Sequence, residues 1–136
     1  MNCLCLNTRR AARTLTRLYE EHLRPCNLTP AQFGLLSLLT MRPNLSQLDL
    51  AETIDLDQTT LSRNLKLLID NKWIKRTRSK EDRRQTFYAI TPAGLELRRE
   101  ALPHWNRAQQ QMRESLGADW ETAFAILQRL STVAAA

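Results

Sequence analysis

Glycine is scarce, with three residues in a chain of 136, and a phosphate-cradling loop needs several close together. Histidine is scarcer still: His22 and His104 stand in helical surroundings, outside any catalytic triad or metal-ligand spacing. No enzyme activity and no cofactor are therefore expected. Three cysteines are an odd number, too few for a disulfide framework, so a reducing cytoplasm is the expected compartment. No apolar run approaches the roughly 20 residues of a membrane helix. The opening Met1–Leu6 is too short for a signal-peptide core and runs at once into Arg9-Arg10. Membrane insertion and secretion are not expected.

What the chain has is positive charge, unevenly spread. Lys and Arg number twenty against fourteen Asp and Glu, a net +6. Between Asp57 and Arg84 lie nine basic and four acidic residues, so nearly all of the excess belongs to one segment. Such a patch is the footprint of a polyanion binder, because Lys and Arg release counterions from phosphates. A solvated basic face, or a protein-interaction module meeting an acidic partner, is the competing reading.

Start and stop signals give a mainly α chain with one hairpin. A first helix over about Leu6–Leu23 ends at Pro25. Thr29-Pro30-Ala31-Gln32 reads as a capping box for a short apolar helix, Phe33 to about Thr40. Ser46 caps a third helix to about Ile54, and Asp57 caps a fourth to about Asn71-Lys72. In that fourth helix Leu61, Leu65, Leu68 and Ile69 form an apolar stripe opposite Gln58, Thr59, Ser62, Arg63 and Lys66. The period then changes. Ile74–Ser79 and Thr86–Ile90 read as strands around a charged tip, Lys80-Glu81-Asp82-Arg83-Arg84-Gln85. Thr91-Pro92 opens a long helix to Leu116, kinked near Pro103, and Asp119 caps a last one to Val133.

Two helices joined by a tight turn and followed by a hairpin are the order of a winged helix-turn-helix. A helix fits the major groove of DNA, and its exposed N-terminal residues meet base edges. Gln58, Thr59, Thr60, Ser62, Arg63 and Lys66 are the candidate readers, while Ser46 and Gln47 at the preceding helix start offer backbone N–H groups to a phosphate. Arg at a hairpin tip suits a narrow minor groove.

Leu28-Thr29-Pro30-Ala31-Gln32-Phe33-Gly34-Leu35-Leu36, Gln58-Thr59-Thr60-Leu61-Ser62-Arg63, and Asp82-Arg83-Arg84 followed by Ile90-Thr91-Pro92-Ala93-Gly94 together resemble the MarR family of bacterial transcription regulators. The resemblance covers essentially the whole chain. It implies one domain over 1–136, with a winged helix-turn-helix lobe at 28–91 and dimerisation helices at 1–27 and 92–136. It also implies a homodimer acting as a repressor on an inverted repeat of double-stranded DNA, with Arg84 as minor-groove finger and Asp82 orienting the wing. Lys72 stands where relatives commonly have Gly. A left-handed cap there carries strain, so a differently shaped helix end is expected. Leu95, Leu102, Trp105, Met112 and Leu116, then Trp120, Phe124, Leu127, Leu130 and Val133, make a stripe more extensive than a small lobe covers. It is expected to bury against a partner, with packing of the two terminal helices on each other as the alternative.

The stretch Cys5–Tyr19 is similar to the OhrR branch, which senses organic hydroperoxides. The similarity implies Cys5 as the redox thiol and Tyr19 as a partner of its thiolate, and Arg9 one turn away favours that thiolate. Oxidation of Cys5 would then release DNA. Two other tyrosine positions of that branch fall on Arg9 and Pro30, so the cage is incomplete. Idle or buried thiols at Cys3, Cys5 and Cys26, and a soft metal at Cys3-x-Cys5, remain open beside it. So does release by a small aromatic ligand held between the dimer helices and the lobe, near Trp105 or Tyr19.

Overall fold

The computed structural model describes residues 1–82 and 84–133. Six helices and a three-stranded sheet follow in the order α1 (Leu4–Leu23), α2 (Pro30–Met41), β1 (Leu45–Ser46), α3 (Gln47–Thr53), α4 (Gln58–Asp70), β2 (Ile74–Arg78), β3 (Thr86–Ile90), α5 (Pro92–Leu116) and α6 (Trp120–Val133). No helix among the described residues is long and apolar enough to cross a membrane.

Short polar side chains start α2, α3, α4 and α5 where the sequence signals put them, whereas among the described residues no cap bond from the expected Asp119 is found at α6. Thr29 accepts from the Gln32 N–H at 3.2 Å while Gln32 Oε1 accepts from the Thr29 N–H at 3.1 Å, so the box closes reciprocally. Ser46 and Asp49 do the same for α3. Asp57 accepts from the Thr60 N–H at 2.8 Å for α4, and Thr91 from the Gly94 N–H at 3.1 Å for α5. A 3₁₀ turn, Gly117–Asp119, leads into α6. α5 runs unbroken through Pro103.

The far end of α4 keeps the left-handed cap despite its lysine. Lys72 has φ 62°, its N–H donates to Ile69 O at 2.9 Å, and the Trp73 N–H donates to Leu68 O at 3.0 Å. That pair of bonds is the Schellman arrangement. The differently shaped end expected from Lys72 is not found, because the two bonds and the apolar Trp73 hold the residue in an αL conformation that its Cβ disfavours.

β3 is the central strand, antiparallel to β2 from Ile74↔Ile90 to Arg78↔Thr86 and to β1 at Leu45↔Tyr88 and Ser46↔Phe87. The core lies inside the lobe: Phe33, Leu35, Leu36 and Leu39 of α2, Leu50 of α3, Leu61, Leu65 and Leu68 of α4, Ile74 and Tyr88 of the sheet. Leu23 from α1 and Ala101 from α5 complete it. Leu102 and Trp105 also turn inward, Trp105 stacking on Phe33 with centroids 5.8 Å apart. That part of the expected partner-facing stripe is thus engaged within the chain, since α2 supplies the aromatic face it needs. Trp120 packs edge-on against Phe124, yet α6 buries no residue, and Phe124 and Leu127 remain 52% and 50% exposed.

Candidate nucleic-acid interface

One side of α4 is closed by Leu61, Leu65 and Leu68, each buried. Its opposite side presents Gln58, Thr59, Ser62, Arg63 and Lys66, all exposed. The arrangement is what a 3.6-residue period dictates for those spacings. Thr60 departs from the expected group of readers: it is half-buried, and its hydroxyl donates to Asp57 Oδ2 at 3.0 Å. Lys66 reaches Asp70 at 2.7 Å. That pair is exposed at both ends, so it costs little to divert the ammonium elsewhere.

Asp57 shapes the electrostatics of the helix start. Hydrogen bonds from the Thr60 backbone and hydroxyl hold its carboxyl below the usual aspartate range, with Arg63 adding to the effect. Asp49 is held low in the same way, first by the Ser46 hydroxyl and then by the Ser46 N–H. Both carboxylates are spent on backbone N–H groups. At the α3 start Ser46 and Asp49 take up each other's N–H groups, which places a carboxylate beside the Ser46 backbone.

Gln47 is half-buried and its side chain bridges α4 and β3. Its Nε2 donates to Ser62 Oγ at 3.1 Å and lies 3.4 Å from Gln58 Oε1, while its Oε1 accepts from the Tyr88 hydroxyl at 3.3 Å.

The hairpin of β2 and β3 carries the second half of the surface. Its tip is built by its own polar groups: Ser79 Oγ accepts from the N–H groups of Glu81 and Asp82, and Asp82 Oδ1 accepts from the Arg84 N–H at 3.0 Å. Asp82 is thereby committed to the backbone that carries Arg84, as an Asx turn. Arg84 is exposed. Arg83, also among the sequence candidates, lies outside the described residues. Lys75, Arg76 and Arg78 along β2 are exposed as well, which extends the positive charge from helix to wing.

A model of the MarR family matches residues 27–85, the stretch that holds α2, β1, α3, α4, β2 and the hairpin tip. The organic hydroperoxide resistance transcriptional regulator of Bacillus subtilis is 32% identical over 101 residues, 74% of this chain and 69% of that one. The chain belongs to the MarR family. The M. tuberculosis transcriptional regulator MosR, solved in complex with DNA, superposes with a TM-score of 0.88 at 31% identity, over 98% of this chain and 96% of that one. The transcriptional repressor CouR, solved on a 23-mer DNA duplex, gives a TM-score of 0.83 at 29% identity, over 97% and 92%. As a MarR-family member the chain is a transcriptional regulator with the winged-helix fold, and the family is one of regulators rather than enzymes.

The thiols are scattered. Cys5 is exposed on the first turn of α1, with Cys3 as the residue that caps it. Tyr19 lies fourteen residues further along the same helix, about 21 Å at the helical rise, so it does not meet Cys5 within one protomer. Its hydroxyl donates instead to Gln109 of α5, and burial pushes its pKa up. Arg9 stands one turn from Cys5. Cys26 is half-buried, its thiol pushed up first by burial and then by Glu100, which leaves it a poorer nucleophile than a thiol of ordinary pKa. Among the described residues no three His, Cys, Asp or Glu side chains converge as a metal site.

Proposed function

We propose that this MarR-family chain is a homodimeric repressor that reads an inverted repeat of double-stranded DNA, with α4 in the major groove and Arg84 of the wing in the minor groove. The observation that carries it is the division of α4: leucines into the core, and Gln58, Thr59, Ser62, Arg63 and Lys66 outward on one face. The apolar surface left on α6, with Phe124, Ile126, Leu127 and Val133 all exposed, supports a second copy covering the terminal helices. A two-fold pair sets the recognition helices roughly 34–36 Å apart, one turn of DNA. The MosR and CouR complexes, both with DNA, support the partner.

The test is selection of duplexes from a randomised pool, followed by anisotropy titration across salt. An enriched inverted repeat and a steep salt slope are expected, with Arg84→Ala lowering the slope by about one counterion-linked contact. Binding to acidic proteins with no enriched sequence would favour the interaction-module reading instead.

Release is assigned to oxidation of Cys5, supported by its exposure on the first turn of α1 beside Arg9. The Cys5 thiolate attacks the distal oxygen of a hydroperoxide, an S–O bond forms as the O–O bond breaks, Cys5 is left as a sulfenate, and the proton goes to the departing alkoxide, which leaves as the alcohol. One equivalent of organic hydroperoxide should add one oxygen to the intact mass and lower operator affinity, and Cys5→Ser should do neither. A second reading has its own observation: Phe33, Trp105, Leu102 and Met41 line a hollow between α2 and α5, with the Arg98 guanidinium 6.0 Å from the Phe33 ring and its Nε 3.3 Å from Ser37 Oγ. That lining suits a small aromatic anion. If Cys5→Ser still releases DNA on oxidation, or the wild type does not release, this hollow becomes the effector site to test.

A further inference from the structure

The primary amide of Gln47 has partners at both its nitrogen and its oxygen. It has two donor hydrogens and one acceptor oxygen, and around it stand Gln58 Oε1 at 3.4 Å, Ser62 Oγ at 3.1 Å and the Tyr88 hydroxyl at 3.3 Å. Those partners belong to different elements. Gln58 and Ser62 are one turn apart on the outward face of α4, and Tyr88 is a buried residue of β3, the strand to which both β1 and β2 pair. One side chain from α3 therefore touches the recognition helix and the root of the wing at once.

We infer that Gln47 is a positioning residue for base readout: it orders Gln58 and Ser62 before DNA arrives and fixes α4 against the wing, and it does not read bases itself. The inference rests on the DNA-binding reading above. A free glutamine on a helix surface samples many rotamers, and ordering such a side chain on binding costs conformational entropy. Holding Gln58 by its oxygen removes part of that cost in advance. It also sets polarity. With Oε1 facing Gln47, Gln58 turns its N–H donors outward, and Ser62, accepting from Gln47, keeps its O–H free to donate. The pair then favours acceptor edges, guanine O6 and N7 or thymine O4, over the bidentate match of a free glutamine to adenine. Tyr88 gives the clamp its fixed end, because its hydroxyl is carried on a buried ring in the middle of the sheet.

The experiment uses the whole chain and duplexes that the wild type enriches from a randomised pool, with the unselected pool as reference. Gln47→Met keeps length and volume and removes the amide. It should bind the enriched duplex about tenfold more weakly, equivalent to about 1.4 kcal/mol, with unchanged affinity for the unselected pool and an unchanged salt slope. Repeating the selection with Gln47→Met should relax preference at the same base pairs that Gln58→Ala and Ser62→Ala relax. In the Gln58→Ala/Ser62→Ala background, Gln47→Met should cost nothing further. Tyr88→Phe removes a single contact without opening a cavity and should lose about threefold on the enriched duplex alone, which keeps the inference open to refutation if Gln47→Met does not fold. Wild-type discrimination in both variants overturns it. So does relaxation at a base pair that the Gln58/Ser62 double variant still reads, since Gln47 would then be a reader. Equal loss on both pools points to phosphate contact or damaged folding and overturns it too. If the wild type enriches no sequence, the DNA-binding reading itself falls, an outcome distinct from any of these.

Discussion

Gly94→Ala should unfold the junction between wing and α5, although alanine is the better helix former. Two effects oppose each other. Gly94 lies in the first turn of α5, where replacing glycine by alanine gains at most about 1 kcal/mol of helix propensity. An added Cβ would stand 2.0 Å from the Trp73 carbonyl oxygen and 2.8 Å from Ile90 Cγ1. Ordinary carbon–oxygen contacts begin near about 3.3 Å, so α5 must shift by about 1 Å against backbone, which cannot swing away as a side-chain tip can. That shift breaks into a tight set of bonds: Thr91 Oγ1 donates toward the carbonyls of Lys72 at 2.6 Å and Trp73 at 3.0 Å, and the Thr91 N–H donates to Trp73 O at 3.0 Å. Overpacking of about 1–3 kcal/mol and the loss of two hydrogen bonds at about 1 kcal/mol each outweigh the propensity gain. A net loss of about 3 kcal/mol lowers Tm by about 10 °C for a chain of this size. Thermal melts followed by circular dichroism at one fixed protomer concentration measure it, since association shifts Tm by mass action. Gly34→Ala is the internal control. Its Cβ meets only Ile54 Cδ1 at 3.8 Å, so the propensity gain stands alone and Tm should hold or rise. Melting of Gly94→Ala within about 2 °C of wild type, or indistinguishable melts for the two variants, would refute the steric reasoning.

Lys72→Gly should stabilise the chain by about 0.5 kcal/mol, because relief of the αL strain slightly exceeds the entropy that glycine adds to the unfolded state; an unchanged or lower Tm counts against strain at that cap. Gln32, the one buried polar side chain among the described residues, closes the Thr29 box and donates to Asn64 Oδ1 of α4 at 3.1 Å. Gln32→Leu should therefore cost about 2–3 kcal/mol in urea unfolding, and Asn64→Ala clearly less, since Gln32 then keeps its own cap. Asp57 and Asp49 both ionise more readily folded than free, so their contribution is present above the unfolded aspartate pKa and is lost as pH falls through the lowered folded values. Tm should drop below about pH 4, and Asp49→Asn/Asp57→Asn should melt below wild type at pH 7 and flatten that acid limb, the two curves converging as the wild-type carboxyls protonate; an acid limb as steep as wild type refutes the assignment.

The helix starts were legible because capping is local. Thr29, Ser46, Asp57 and Thr91 each stand three residues before the N–H they accept, a spacing visible along the chain. The buried and exposed sides of α4 were legible for a similar reason, since periodicity alone separates Leu61, Leu65 and Leu68 from Arg63 and Lys66. β1 was not, because a two-residue strand has no alternation to detect and exists only through its pairing with β3. Trp105 was misdirected outward for the same physical reason. An apolar stripe on a long helix identifies a surface that wants cover, and whether Phe33 of the same chain or a second copy supplies it depends on tertiary packing.

The polar residues of the interface show the limit most sharply. Periodicity places Gln58 and Ser62 on one face of α4 and Thr60 off it, but residue type alone does not separate Gln47 from the readers or show which groups Asp82 holds. The structure divides them by where their hydrogen-bonding capacity is already used. Thr60 is engaged with Asp57, Asp82 with the Arg84 backbone, and Gln47 with two elements besides its own. A polar group whose donors and acceptors are satisfied within the protein gains little by exchanging them for equivalent bonds to a base. It contributes instead by reducing the freedom of its neighbours. On the proposed DNA-binding reading, Gln58, Thr59, Ser62, Arg63, Lys66 and Arg84 are then the side chains left to read or grip, and Gln47, Asp57 and Asp82 are what would aim them. That division depends on contacts reaching from two to forty-one residues along the chain, and the longest of them, Gln47 to Tyr88, joins positions that no local pattern relates.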